Sequence, residues 1–159
     1  MAHNLADAFS TLPGDIILVD PDPVDVVSPD GRTQPVEHGR HLQLSVRPHV
    51  PTQLLLTGHM DTVFPLDHAF QHSRWTDKGV LNGPGVADMK GGISVMLAAL
   101  QAFETSPASQ NVGYEVVINS DEEVGSPSSA SLIQRAAQGK IAALTYEPAA
   151  LPDGTLGGA

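Results

Sequence analysis

Residues 114–146 read YEVVINSDEEVGSPSSASLIQRAAQGKIAALTY, and the order of elements in this stretch decides the fold. Residues 114–119 are an apolar run of strand length, and residues 141–146 are another. Between them, residues 128–138 (SSASLIQRAAQ) open on serines and stop at Gly139, the signals of a helix start and a helix end. A strand, a helix and a strand in that order form a parallel pair joined by a crossover. Upstream the same alternation continues. Leu54-Leu55-Leu56, after Pro51, reads as a strand buried on both faces, and ISVMLAALQAFE from Gly92 to Glu104 has helical periodicity. The spacing therefore predicts an α/β chain with a parallel sheet flanked by helices.

Further out the pattern weakens. Leu5, Ala8, Phe9 and Leu12 make the stripe of a short helix ended by Pro13-Gly14, and residues 16–19 are a short strand. Leu42, Leu44 and Val46 alternate with polar neighbours as in a half-buried strand. Residues 20–40, rich in Pro, Asp and Gly, predict turns around at most one extended piece. Residues 59–91 predict a long irregular stretch, a length that is usually functional or disordered. Residues 151–159 carry no core signal.

Composition narrows the chemistry. The 159 residues carry 8 Lys+Arg against 18 Asp+Glu, a formal charge of −10. Nucleic acid and anionic membranes are excluded as partners, because both need clustered cations. With no cysteine, disulfides, thiol nucleophiles and thiolate metal sites are excluded too. The N-terminal MAHNLADAFS lacks the basic start and apolar core of a signal peptide, which reads as a cytoplasmic protein. Aromatics at 4% imply a core of Val, Leu, Ile and Ala.

The polar residues cluster where strands end. His59 and Asp61 follow the strand at 54–58, Asp121, Glu122 and Glu123 follow 114–119, and Glu147 follows 141–146. Asp88 precedes the helix that begins near Gly92. In a parallel sheet these ends share one edge, where such folds bind ligands. Taken singly, each has a plain explanation: a turn or cap for His59 and Asp61, an N-cap for Asp88, a solvated turn for 121–123, a strand end for Glu147. Together they bring one imidazole and as many as six carboxylates to one crevice, which repel one another unless a cation neutralises them. With His present and thiols absent, zinc or a similar transition ion fits better than calcium or magnesium. Gly83-Pro84-Gly85 lacks the third glycine of a dinucleotide loop, and neither a phosphate-binding G-x-x-x-x-G-K-[ST] loop nor a G-x-S-x-G motif occurs. His38, His41, His49, His68 and His72 have no ligand-like spacing and are expected to be exposed.

Four segments, TGHMDTVFP (57–65), NGPGVADMKGG (82–92), INSDEEVGS (118–126) and YEPA (146–149), resemble the signature of the dinuclear zinc amidohydrolases and peptidases. That family includes glutamate carboxypeptidase, acetylornithine deacetylase, succinyl-diaminopimelate desuccinylase and aminoacylases. The resemblance implies a three-layer zinc-exopeptidase-like α/β fold, incomplete at its C-terminus, and two zinc ions, with cobalt or manganese as substitutes. By the same resemblance His59 and Glu147 would bind one zinc, Asp88 would bridge, and Glu123 would bind the second. Glu122 would be the general base, Asp61 would orient His59, and the Asp88-Met89 peptide would be cis.

The implied reaction is hydrolysis of an amide bond beside a free carboxylate in a small peptide or N-acyl amino acid. A glutamate carboxypeptidase-like activity is the leading reading and an N-acyl amino acid deacylase the next. A catalytically inactive metal-binding or interaction domain is the alternative from another class. Residues 1–159 would be the N-terminal part of the catalytic domain. Family enzymes also carry an inserted domain that dimerises and closes over substrate, and a late His that completes the second zinc site. The parent would then be a homodimer, and the 159 residues alone would be inactive.

Overall fold

The computed structural model describes residues 1–149 and Gly154, so the reading of 151–159 lies, apart from Gly154, outside the described residues. Helix α1 (Ala2–Phe9) leads into β1 (Asp15–Val19), β2 (Val24–Val27), β3 (Thr33–Val36), β4 (His41–Val46) and β5 (Thr52–His59). Then come β6 (Arg74–Asp77), β7 (Val80–Asn82), α2 (Gly91–Glu104), β8 (Val112–Asn119), α3 (Ala130–Ala137) and β9 (Ala142–Thr145). The main sheet has the order β1-β4-β8-β5-β9. β5 runs parallel to both β8 and β9, while β4 is antiparallel to β8 and β1 to β4. Four of the five strands thus point one way, and β4 alone is reversed.

The layers follow from alternation along the strands. Leu56, Tyr114, Val116 and Ile118 face one side with Leu42, Leu44 and Val46, where Phe9 of α1 and Ile93, Met96 and Leu100 of α2 cover them. Leu55 and Val117 face the other side, under Leu132 and Ala136 of α3. Burying each such large side chain contributes roughly 1.5–3 kcal/mol. The core is less purely aliphatic than composition implied, because Phe9, Tyr114, Met60, Met89 and Met96 are all buried.

Two expectations are corrected. Residues 20–40 hold two strands, β2 and β3, paired as an exposed antiparallel hairpin around 28–32. Residues 59–91 hold a second hairpin, β6 and β7, whose residues are all exposed. Neither hairpin buries an apolar face, so neither left an alternation to read. The longest apolar helical run among the described residues, Val86–Glu104, meets the length of a membrane span only by counting through a kink. Asp88 and Met89 are non-helical there, leaving 14 residues of α2. At ~1.5 Å per residue α2 is about 21 Å long, against the ~30 Å of a bilayer core.

Candidate metal centre

β5 lies between β8 and β9, and its register pairs His59 with Asn119 at the ends of the two strands. Backbone continuity then carries Asp61, the 121–123 turn and Glu147 out over the same sheet edge. Asp88 comes from the turn before α2, where Gly85 has a left-handed φ of 66° and the Asp88-Met89 peptide is cis. Asp88 does not cap α2: no side chain does, and Lys90 occupies the cap position. Met89 is fully buried, and its sulfur accepts the His59 backbone N–H at 3.1 Å.

These elements surround His59, whose side chain is 1% exposed. Its Nε2 lies 3.0 Å from Asp88 Oδ1, 3.7 Å from Glu147 Oε1 and 4.0 Å from Glu122 Oε2. One ligand atom each from His59, Asp88 and Glu123 fall within 4.8 Å of one another. Asp88, Glu122 and Glu147 keep 55%, 51% and 41% of their side chains exposed, so the group opens to solvent. A cleft of about 210 Å³ beside it is lined by Asp88, Glu123, Thr62 and the Gly83–Gly85 loop. A larger hollow of about 700 Å³, mostly apolar, shares Thr62, Phe64 and Val86 with that cleft and is also lined by Asp61 and Lys90.

Asp61 does two things. Its Oδ1 is 3.3 Å from His59 Nδ1, although the angle leaves that buried nitrogen without a formed hydrogen bond. Both oxygens accept main-chain donors, from Glu122 N–H at 3.3 Å and from Glu123 N–H at 3.0 Å. The sequence suggested only the first contact; the second ties the imidazole to the acidic turn.

The electrostatics are those of crowded anions around an imidazole. Burial works against the charged form of His59. The Asp88 hydrogen bond and the charges of Glu147, Asp61 and Glu122 outweigh it, and the pKa sits above its ordinary value. Burial, followed by the charge of Asp88, raises the Glu123 carboxyl. Burial likewise raises Glu147, against the pull of His59. One cation stands close: Lys90, whose ammonium donates to the Pro84 carbonyl at 3.2 Å. Burial lowers its pKa despite the charges of Asp61, Asp88 and Glu123. One imidazole, several unneutralised carboxylates and no thiol form a donor set that fits a divalent transition ion.

Two side chains are not where the sequence put them. Asp121, counted among the crevice carboxylates, is buried and turned into the protein, bonded to Asn119, Ser128 and Ser129. Five carboxylates, not six, face the site. His41 is fully buried, with Nδ1 3.3 Å from Ser120 N. Its place at the start of a buried strand was the available signal. His49, His68 and His72 are exposed and His38 is half-buried. The sequence also missed Gly92. A Cβ there would collide with the Tyr146 carbonyl oxygen, so the glycine lets α2 approach the segment that carries Glu147.

The sequence profile of peptidase family M20/M25/M40 matches residues 55–157, about two-thirds of the chain and all four motifs. The chain belongs to this family. Carboxypeptidase G2 of Pseudomonas sp. (strain RS-16) is 35% identical over 100 residues, 63% of this chain and 24% of that protein. Succinyl-diaminopimelate desuccinylase 2 of Shewanella loihica is 37% identical over 81 residues, 46% of this chain and 20% of that protein. The chain thus spans a quarter or less of the length of these family relatives. Human carnosine dipeptidase 1 superposes with a TM-score of 0.66 at 21% identity, covering 92% of this chain and 32% of that one. A metallo-carboxypeptidase of the same family from Sulfolobus solfataricus gives 0.66 at 16%, covering 96% and 32%. The likeness to these two structures is one of fold.

Proposed function

We propose that this chain is the front part of the catalytic domain of a zinc-dependent amide hydrolase. In this reading the full-length enzyme cuts an amide bond beside a free carboxylate, as a glutamate carboxypeptidase-like metallo-carboxypeptidase. The observation that carries it is the convergence of His59, Asp88 and Glu123, from three separate elements, to within 4.8 Å. His59 and Glu147 would hold one ion, Asp88 would bridge, and Glu123 would hold a second together with a residue from elsewhere in the full-length protein. The substrate is a small peptide or N-acyl amino acid, and the parent is a homodimer.

Bound zinc would polarise the amide carbonyl and lower the pKa of a water toward ~7. The chain's own groups do the rest. Asp61 sits behind the imidazole and fixes the turn bearing Glu122. The Glu122 carboxylate, half exposed and free of hydrogen bonds among the described residues, takes a proton from the attacking water and returns it to the departing amine. A deacylase reading draws support from the desuccinylase relative, which matches at slightly higher identity over a shorter stretch.

The test is a panel of C-terminal peptides and N-acyl amino acids on the full-length protein, with zinc added and removed. Glu122→Ala should lose roughly 10²–10⁴-fold or more in kcat while keeping its metal. Near-normal rates in that variant, or a full-length protein that holds no metal, would overturn the reading.

A further inference from the structure

The turn that bears Glu122 and Glu123 rests on a buried polar network that takes no part in the proposed chemistry. Asp121 is 1% exposed. Its Oδ2 accepts the Ser128 backbone N–H at 2.6 Å and the Ser128 hydroxyl at 2.8 Å. Its Oδ1 accepts the Ser129 hydroxyl at 2.6 Å and the Asn119 amide at 3.3 Å. Four donors therefore satisfy a buried carboxylate with no ion pair, as a fully connected network must. Ser129 is the N-cap of α3, yet its hydroxyl does not cap the helix and serves Asp121 instead. His41 closes the network, with Nε2 3.5 Å from the Ser128 hydroxyl.

The main chain completes the clamp. Ser126 N–H donates to the Asp121 carbonyl at 2.7 Å, and Gly125 N–H to that of Glu122 at 2.8 Å. From the opposite side Asp61 accepts the Glu122 and Glu123 N–H groups. The turn is pinned at both flanks, while neither the Glu122 nor the Glu123 carboxylate is tied by a hydrogen bond among the described residues. Two aspartates direct their charge to backbone, hydroxyl and amide donors, so that two glutamates stand free over Asp88 and His59.

We propose that Asp121, through Ser128 and Ser129, is a positioning residue that sets where Glu122 and Glu123 stand relative to Asp88 and His59. The proposal rests on the metal-centre reading above. Asp121 touches neither metal nor substrate; it acts through the turn it anchors. An amide cannot replace it cleanly. One face of Asn can accept from the Ser128 N–H, but the other then turns a donor toward the Asn119 amide, and the charge that four donors address is gone.

The test is cobalt(II) titration of the protein, reading the dissociation constant and the visible absorption envelope, beside far-UV circular dichroism and metal-free melting. Asp121→Asn should fold, bind cobalt roughly 10- to 100-fold more weakly, the usual cost of losing support behind metal ligands, and show an altered band. Ser128→Ala keeps the N–H donor and should shift affinity the same way by less. It becomes the deciding variant if Asp121→Asn does not fold. Leu12→Ala, a core truncation in the segment after α1 and outside the Asp121 network, should lower the melting temperature and leave the dissociation constant unchanged. A dissociation constant within twofold of wild type in Asp121→Asn or, should that variant not fold, in Ser128→Ala would overturn the proposal and leave the metal centre standing. A wild-type protein that binds no cobalt would overturn both.

Discussion

Replacing Gly92 by alanine tests how the site is spaced. The added Cβ would strike the Tyr146 carbonyl oxygen, with the carbonyl carbon at 3.0 Å and the Tyr146 Cβ at 3.2 Å. Ordinary contacts need about 3.5 Å or more, so α2 or the 146–147 segment must give way by on the order of 1 Å. Overpacking of that kind costs ~1–3 kcal/mol. In a chain of this size that is a fall in melting temperature of roughly 2–12 °C. Glu147 adjoins Tyr146, and its Oε1 starts only 3.7 Å from His59 Nε2. Because metal–ligand distances tolerate about 0.2 Å, the same displacement spoils a shared site. Zinc affinity should fall roughly 10- to 100-fold. Calorimetric titration with zinc at pH 7, beside metal-free melts, measures both effects, with the exposed Ala98→Ser as control. Wild-type affinity in a variant with a lowered melting temperature would refute the claim that this glycine holds Glu147 in place.

Zinc should stabilise the protein, by ~2.7 kcal/mol when free metal is 100 times its dissociation constant, and a chelator should reverse the gain in a thermal melt. That gain should shrink as pH falls, because the raised His59, Glu123 and Glu147 pKa values leave protons that the metal must displace. Away from the site, Arg47 holds Glu104 at 2.9 Å through Nη1 and Oε2, and this hydrogen bonding lowers the Glu104 pKa below its ordinary 4.5. The stability it contributes is therefore present above that pH and lost as pH falls through the lower folded value. Glu104→Gln should cost about 2 kcal/mol at pH 7 by denaturant unfolding, and the gap to wild type should close in acid.

The elements that bury apolar faces are legible in the sequence alone. β5, β8 and α2 carry long apolar runs that admit one reading of period. The two hairpins could not be found that way, since β2, β3, β6 and β7 lie on the surface and their residues answer to turn chemistry rather than to a core. The reversal of β4 was equally hidden, because alternation reports a buried face and says nothing of strand direction. In the site, His59, Glu122, Glu123 and Glu147 stood out because strand ends of a parallel sheet share an edge, and Asp88 because it precedes a helix start beside them. Asp121 was misjudged because neighbours in a turn point opposite ways, and sequence order alone does not say which carboxylate faces inward. Its partners, Ser128 and Ser129, looked like helix-start residues for the same reason: a hydroxyl at a helix N-terminus can serve the helix or something outside it.

Diffraction from zinc-soaked crystals at the zinc absorption edge locates the ion directly. An anomalous peak is expected roughly 2.0–2.2 Å from His59 Nε2 and from a carboxylate oxygen of Asp88. Ordered zinc found only elsewhere, for example at the exposed His68 and His72, with no peak between His59 and Asp88, would contradict that placement.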